Sequence, residues 1–372
     1  MSSRIGNILS VSIFGESHSD AIGCVIEGLP AGLPVDTEEL QRFLDRRAPG
    51  RSATATARRE PDAPQFLSGL FEGHTTGAPF AALIPNTNTR SQDYDALRRI
   101  PRPGHADLPA RLRYGNWHDV RGGGHFSGRL TAPLCIAGGI ALQALASLGI
   151  EIAAHIANLG PTGIADEPLD AMAPDRAQLA ALAAHDFPCI STDAAVRMQD
   201  AILAAKRDKD SVGGIIECAA YGFPAGVGDP MFDGLENRIA RIAFGIPAVK
   251  GVDFGAGFAA AYLTGSQNND PYRMVDGTPR PVSNNAGGIL GGISTGLPLI
   301  WQMAVKPTPS IGREQPSVDI DAETDTELIV RGRHDPCIVP RAVPVAEAVC
   351  ALALMDALLE DGRFPAPAPR RA

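Results

Sequence analysis

Side chains able to do chemistry collect in four glycine-bordered segments of the chain. They are Gly15-Glu-Ser-His18, Arg102-Pro-Gly-His-Ala-Asp107, Arg121-Gly-Gly-Gly-His-Phe-Ser-Gly-Arg129 and Gly332-Arg-His-Asp-Pro-Cys337. Two further segments, Asn284-Asn-Ala-Gly-Gly-Ile-Leu-Gly-Gly292 and Lys306-Pro-Thr-Pro-Ser310, are rich in glycine or proline. Glycine lets backbone N–H groups approach an anion, and arginine supplies a bidentate charge for phosphate or carboxylate. Taken singly, each piece has an ordinary explanation. His18 and His105 suit turns, Ser17 suits a cap with no GxSxG elbow around it, and His334-Asp335 suits a turn before Pro336. Arg46, Arg47 and Arg51 suit a solvated helix end. His118 and His125 lack ligand spacing on one helical face, so no metal site is expected. Jointly, these loops imply a basic, backbone-lined pocket for a polyanionic small molecule, with a cofactor phosphate as a further candidate ligand.

The elements that must position these residues are legible in outline. The chain has 372 residues, 44% hydrophobic and 20% charged, which is enough apolar mass for a sizeable core. Forty glycines and 31 prolines imply many turns. A net charge of −9 and 5% aromatic content argue against nucleic-acid and acidic-membrane binding. The closest of the six cysteines are 13 residues apart, so no CxxC pair exists; with no secretory leader in Met1–Gly15, a cytoplasmic location is expected. Helices are expected from Asp36 through LQRFL, over Ser127–Leu148 with a kink at Pro133 or Gly138-Gly139, over Ser191–Arg207, through LENRIARI, and over Val343–Asp361. Strands are expected at Cys24–Glu27, Gln65–Phe71, Phe80–Ile84, Gly214–Glu217, Leu299–Val305 and Glu327–Arg331. The class is therefore α/β or α+β. No GxGxxG follows a strand, so a Rossmann fold is disfavoured.

An internal echo adds organisation. AIGCVIEGLPAG (21–32) and SVGGIIECAAYGFPAG (211–226) share a glycine, an apolar run, a glutamate and a Gly-apolar-Pro-Ala-Gly turn, each followed by an acidic helix start. This favours an intramolecular duplication packed into one body, with halves of about 1–190 and 191–363 and a flexible tail over 364–372.

At these residues the sequence resembles the chorismate synthase family. The resemblance runs from about Ile5 to Asp361 and is carried by GESH (15–18), RRAPG (46–50), RREPD (58–62), RSQDY (90–94), RPGHAD (102–107), RGGGHFSGR (121–129), DSVGG (210–214), NNAGGILGG (284–292), KPTPS (306–310) and GRHDPC (332–337). It implies a single-domain β-α-β sandwich of two antiparallel sheets around helices, with an internal pseudo-two-fold duplication, assembled as a homotetramer. It implies a 1,4-elimination that converts 5-enolpyruvylshikimate 3-phosphate to chorismate and phosphate with reduced FMN. The chain carries no NADP-type dinucleotide fingerprint, so an external flavin reductase is the expected source of reduced flavin.

Position by position, the resemblance puts His18 beside the leaving phosphate and His105 beside the flavin. Asp335 becomes the base for the C6 proton, acting through flavin N5, and Ser17 and Ser127 become supporting hydroxyls. Arg47, Arg102, Arg129 and Arg333 match the guanidinium groups that bind substrate or border the flavin. FMN contacts are implied at His125, Phe126, Ser127, Glu236, Asn237, Gly291, Lys306, Pro307, Thr308, Pro309, Ser310 and Arg333. The chain departs from the commoner pattern at Ser19, Ala53, His125-Phe-Ser-Gly-Arg-Leu-Thr131, Pro309 and Asn285. A flavoprotein oxidoreductase and a non-catalytic phosphoanion-binding protein are the alternatives from other functional classes.

Overall fold

The computed structural model describes residues 3–50, 60–87, 96–330 and 335–365. The first part of the chain forms strands β1 (Arg4–Ile5), β2 (Ser10–Gly15), β3 (Ala21–Glu27) and β4 (Gln65–Ser68). The short pair β5 (Leu70–Phe71) and β6 (His74–Thr75) and strand β7 (Phe80–Pro85) follow. Its helices are α1 (Thr37–Arg47), α2 (Asp107–Tyr114) and α3 (Thr131–Ala146). The second part contains β8 (Glu151–Leu159), β9 (Ile164–Ala165), α4 (Arg176–Ala184), α5 (Thr192–Arg207), β10 (Gly214–Tyr221), α6 (Leu235–Ala243) and β11 (Val249–Phe254). One-turn helix α7 (Gly265–Asn268) and hairpins β12 (Tyr272–Val275)–β13 (Thr278–Pro281) and β14 (Ile289–Leu290)–β15 (Ile293–Ser294) lead to β16 (Leu299–Val305). Hairpin β17 (Gln315–Asp319)–β18 (Thr324–Leu328) and helix α8 (Val339–Glu360) complete it.

Two five-stranded antiparallel sheets result, ordered β1-β2-β3-β7-β4 and β11-β16-β10-β8-β9. Helix α3 packs on the first sheet, α8 on the second, and the two helices pack on each other. Both helices are apolar almost all round because both are covered on every side. The stretch Gly128–Ala146, which contains α3, and α8 itself are each long and apolar enough to cross a membrane, yet both are buried inside this sandwich.

The strand orders make the duplication concrete. In each half, a strand pair (β2–β3 or β8–β10) leads to a helix (α1 or α6). A strand then returns beside the central one (β7 or β16) with an outer neighbour (β4 or β11), and a long buried helix closes the unit (α3 or α8). The echoed segments supply the third strand of each sheet, β3 and β10. Residues 147–150 connect α3 to β8, and β8 and β9 both belong to the second sheet.

Local chemistry explains the helix ends and contacts. Asp36 accepts hydrogen bonds from the backbone N–H groups of Glu38 and Glu39, both at 2.9 Å, which starts α1 and buries Leu40 and Leu44. The expected kink in α3 does not form, since Pro133 sits in the first turn, where a missing N–H costs nothing. A Cβ on Gly138 would lie 2.2 Å from Ala348 Cβ of α8, and one on Gly139 2.5 Å from Leu40 of α1. The glycine pair therefore serves close helix packing. At the end of α1, Arg46 turns to Glu347 of α8 at 2.6 and 2.8 Å, which leaves Arg47 pointing the other way, into the site.

Candidate active site

The GESH turn and the glycine run are built against each other. Ser17 and His18 sit in the tight connection between β2 and β3, both nearly buried. Ser19, where the commoner pattern has glycine, bonds the backbone of Glu16 and Ala21 at 2.8–2.9 Å and so holds that turn. Ser17 N–H donates to Gly124 O at 3.1 Å. Gly122, Gly123 and Gly124 all have positive φ, and Gly122 and Gly124 leave no room for a side chain, a Cβ on Gly124 lying 2.2 Å from the Asp119 carbonyl oxygen. A Cβ on Gly122 would lie 2.5 Å from the His18 ring, and one on Gly123 3.1 Å from the His105 ring. The glycine run thus passes between the two histidines and sets their separation.

His105 belongs to a buried polar knot at the start of α2. Its Nδ1 lies 2.5 Å from Asp107 Oδ1, and Arg102 grips Asp107 through Nε and Nη2 at 2.7 and 2.8 Å. Burial would raise the Asp107 carboxyl, but the hydrogen bonds from Arg102 and His105 outweigh it and hold the group well below the ordinary carboxylate range. Segment Lys306–Ser310 closes over this knot. Lys306 Nζ donates to Gly104 O at 2.9 Å and Arg102 Nη1 donates to Ser310 Oγ at 3.1 Å. Thr308 Oγ1 donates to the carbonyl of Asp335 at 2.9 Å, joining the His105 side to the Asp335 side. Pro307 and Pro309 lie in the same connection.

A cavity of about 240 Å³ gathers Arg47, Ser127, Arg129 and Asp335 with Glu60 and Arg341. Its apolar wall comes from Ile246, Pro247, Ile338 and Val345. Arg47 and Arg129 share Asp62, which is fully buried; Arg47 Nε lies 3.0 Å from Asp62 Oδ2, and Arg129 Nη1 bonds Asp62 Oδ1. Glu60 Oε2 stands 3.2 Å from Arg129 Nε, and Asn86 links Arg129 to the GESH turn. Burial together with the charges of Arg341 and Arg129 brings the Arg47 guanidinium down to about 10, against the support of Asp62. Ser127 caps the turn Gly128–Leu130 by accepting from Arg129 N–H at 3.2 Å. Asp335 precedes α8, and Arg341 in the helix's first turn donates to its Oδ2 at 2.6 Å.

The structure does not bring every expected residue here. His125 has both ring nitrogens engaged, Nδ1 with Gly15 O at 2.8 Å and Nε2 with Ser3 Oγ at 2.7 Å. With Phe126 it lines an adjoining, more apolar cavity of about 290 Å³, which shares Thr131, Ile246 and Pro247 with the first. Glu236, Asn237 and Gly291 lie elsewhere in the chain's fold. Gly292 O accepts from Leu235 N–H at 3.0 Å, and Arg238 pairs with Asp356 near the far end of α8. Asp356 is fifteen residues beyond Arg341, about 22 Å along the helix. Arg333 and His334, together with Arg51, Ala53, Arg58, Arg59, RSQDY (90–94) and the tail from 366, lie outside the described residues. Sequence reasoning assigned no role to Glu60, Asp62, Asn86, Asp107 or Arg341. RREPD and RPGHAD flagged the segments of three of these, whereas Asn86 and Arg341 carried no local signal.

Burial pushes the Asp335 carboxyl up, with Arg341 opposing. Asp335 therefore takes up its proton at higher pH than an ordinary carboxylate as the solution is acidified. Arg341→Gln removes the opposing charge, so the acid limb of a kcat–pH profile is expected to move to still higher pH. An unmoved limb would show that Asp335 does not govern it.

Clustered guanidinium groups beside a buried carboxylate, at the ends of α1 and α8, suit an enzyme for an anionic small molecule. The comparisons make this specific. The family model described as "Chorismate synthase" matches residues 9–359. The chain is 48% identical to the chorismate synthase of Lancefieldella parvula over 96% of both chains. It is 46% identical to that of Dehalococcoides mccartyi over 98% of this chain and 99% of the relative. The figure for Korarchaeum cryptofilum is 45%, over 96% and 98%. A crystal structure of chorismate synthase aligns with a TM-score of 0.72 at 27% identity, covering 96% of this chain and 93% of that one. The chain belongs to the chorismate synthase family and is, with that family, a lyase.

Proposed function

We propose that this protein converts 5-enolpyruvylshikimate 3-phosphate to chorismate and phosphate by 1,4-elimination, with reduced FMN as cofactor. The observation that carries the reading is the convergence of Arg47, Arg129 and Asp335 on one cavity; His18 and His105, against Gly122 and Gly123 of the neighbouring glycine run, are not among its lining residues. Guanidinium groups at one wall and apolar side chains at another suit an anionic substrate beside a flat ring system. One buried donor, Arg129 Nη2, makes no hydrogen bond among the described residues, which supports an anion partner for it. These residues fit the cofactor and substrate together.

Reduced FMN supplies electron donation that eases phosphate departure from an allylic carbon. The protein's own part is to hold anions with Arg47, Arg129 and Arg102, to meet the leaving phosphate with His18, and to keep His105 oriented through Asp107. Ser17 and Ser127 support the turns that carry these groups, and Asp335 is the terminal acceptor of the C6 proton. Lys306, Pro307, Thr308, Pro309 and Ser310, with His125, Phe126 and Arg333, form the proposed flavin-side wall. Glu236, Asn237 and Gly291 belong to this proposal on the family resemblance alone. A single-domain chain working in the cytoplasm as a homotetramer, fed reduced FMN by an external reductase, completes the reading.

The test is anaerobic turnover of 5-enolpyruvylshikimate 3-phosphate with pre-reduced FMN. Chorismate formed without net flavin oxidation is the expected result. Net flavin oxidation would indicate an oxidoreductase, and tight binding without turnover would indicate a binding protein.

A further inference from the structure

We propose that Asn86 is a positioning residue for the reaction, its single side-chain amide fixing the anion-holding Arg129 relative to the turn that carries His18. The proposal rests on the roles given to Arg129 and His18 above and adds what keeps the two in register.

Asn86 directly follows β7, and its backbone N–H donates to Asp20 O at 2.9 Å, continuing the pairing of β7 with β3. The side chain therefore leaves from the end of a sheet strand, a rigid support. Its Nδ2 donates to Glu16 O at 3.0 Å and to Ser19 O at 2.8 Å, the carbonyls on either side of Ser17-His18. Its Oδ1 accepts from Arg129 Nε at 3.2 Å. The partners fix which way the amide faces, since two carbonyls need a donor and a guanidinium needs an acceptor.

This pattern selects asparagine. Aspartate would set an oxygen against the two carbonyls, serine has a single hydrogen to give, and glutamine carries the same groups a methylene further out. Each end also has supports of its own. Ser19 ties the turn to itself through Glu16 and Ala21, and Asp62 ties Arg129 Nη1 to Arg47. Asn86 bonds to both ends at once. Proton transfer needs heavy atoms within about 2.6–3.2 Å, so the placement of His18 against an anion held by Arg129 tolerates little drift.

The test uses the complete protein with pre-reduced FMN and 5-enolpyruvylshikimate 3-phosphate, as wild type, Asn86→Asp and Asn86→Ala. The backbone bond to Asp20 is open to both variants, so the end of β7 keeps its place. Asn86→Asp keeps an acceptor for Arg129 and loses both donors to the turn, whereas Asn86→Ala loses all three bonds. Both are expected to lower kcat by about 10²-fold, the cost of displacing a proton-transfer group by about 1 Å. Directly titrated substrate affinity in Asn86→Ala is expected to fall by no more than about ten-fold, because Asp62 still holds Arg129. Carbon-13 NMR of labelled histidine rings gives the second readout. The His18 signal should move in both variants, and that of His105, held by Asp107, should not. A His18 signal that stays in place in either variant overturns the proposal. So does one that moves together with that of His105, which would mark a general loosening. A His18 signal that alone moves while kcat keeps its wild-type value overturns instead the role of His18 on which the proposal rests.

Discussion

Asp335→Asn is expected to lower turnover by about 10²–10⁴-fold while substrate still binds. Asparagine keeps the size of the side chain and an oxygen for Arg341 Nη1, so the contact at 2.6 Å has a successor. The backbone carbonyl that receives Thr308 Oγ1 is untouched, so the Lys306–Ser310 segment stays anchored. What is lost is the proton-accepting charge, which burial has already made more basic than an ordinary carboxylate. The comparison to make is kcat against directly titrated substrate affinity. Loss of binding with turnover intact at saturation would make Asp335 a structural turn residue and remove it from the mechanism.

Gly122→Ala is the second substitution with a large expected effect, and it touches no ionisable group. Gly122 has φ +59°, a left-handed conformation that costs an alanine about 1–2 kcal/mol. The added methyl would also lie 2.4 Å from Ser17 Oγ and 2.5 Å from His18 Nδ1, so the GESH turn must shift. A displacement of about 1 Å in a proton-transfer group is enough to cost about 10²-fold in turnover. Phosphate affinity should change little, because Arg47 and Arg129 hang on α1 and on the turn beyond Ser127. Gly265→Ala, at an open position with nothing within 4 Å, is the control and should leave turnover unchanged. Full activity in Gly122→Ala would mean that the glycine run does not set the position of His18.

Much of this was legible in residue types and periods. The capped start of α1 at Asp36, the strands β3, β7, β10 and β16, and the echo between residues 21–32 and 211–226 all follow local rules of capping and alternation. Other elements did not announce themselves. Strand β8, EIAAHIANL, reads as well for helix as for strand, because alanine fits either and only burial between two neighbours decides it. Expected strand Gln65–Phe71 breaks at Gly69, whose φ of +81° lets the chain pass Phe80 with no Cβ in the way. Of the strand expected at Glu327–Arg331, Arg331 lies outside the described residues; the strand found there runs over Thr324–Leu328, its register set by pairing with Gln315–Asp319. Helix α8 begins at Val339, before Pro344, because the proline falls inside a helix held by its buried neighbours.

By itself the sequence determined that the chain folds with a large core, that its glycine-bordered loops favour an anion, and which family it resembles. Only tertiary structure decided which charges meet. Arg46 and Arg47 are neighbours in the chain, yet one is spent on Glu347 of α8 and the other faces Asp62 and the cavity. His125, inside the most chemical-looking segment, is taken up by Ser3 and Gly15, whereas Arg341, in no motif, pairs with Asp335. The physical reason is that charge pairing depends on distances of 3–4 Å between residues far apart in the chain. Those distances are set by how two sheets and two buried helices pack, which no local pattern of residues encodes.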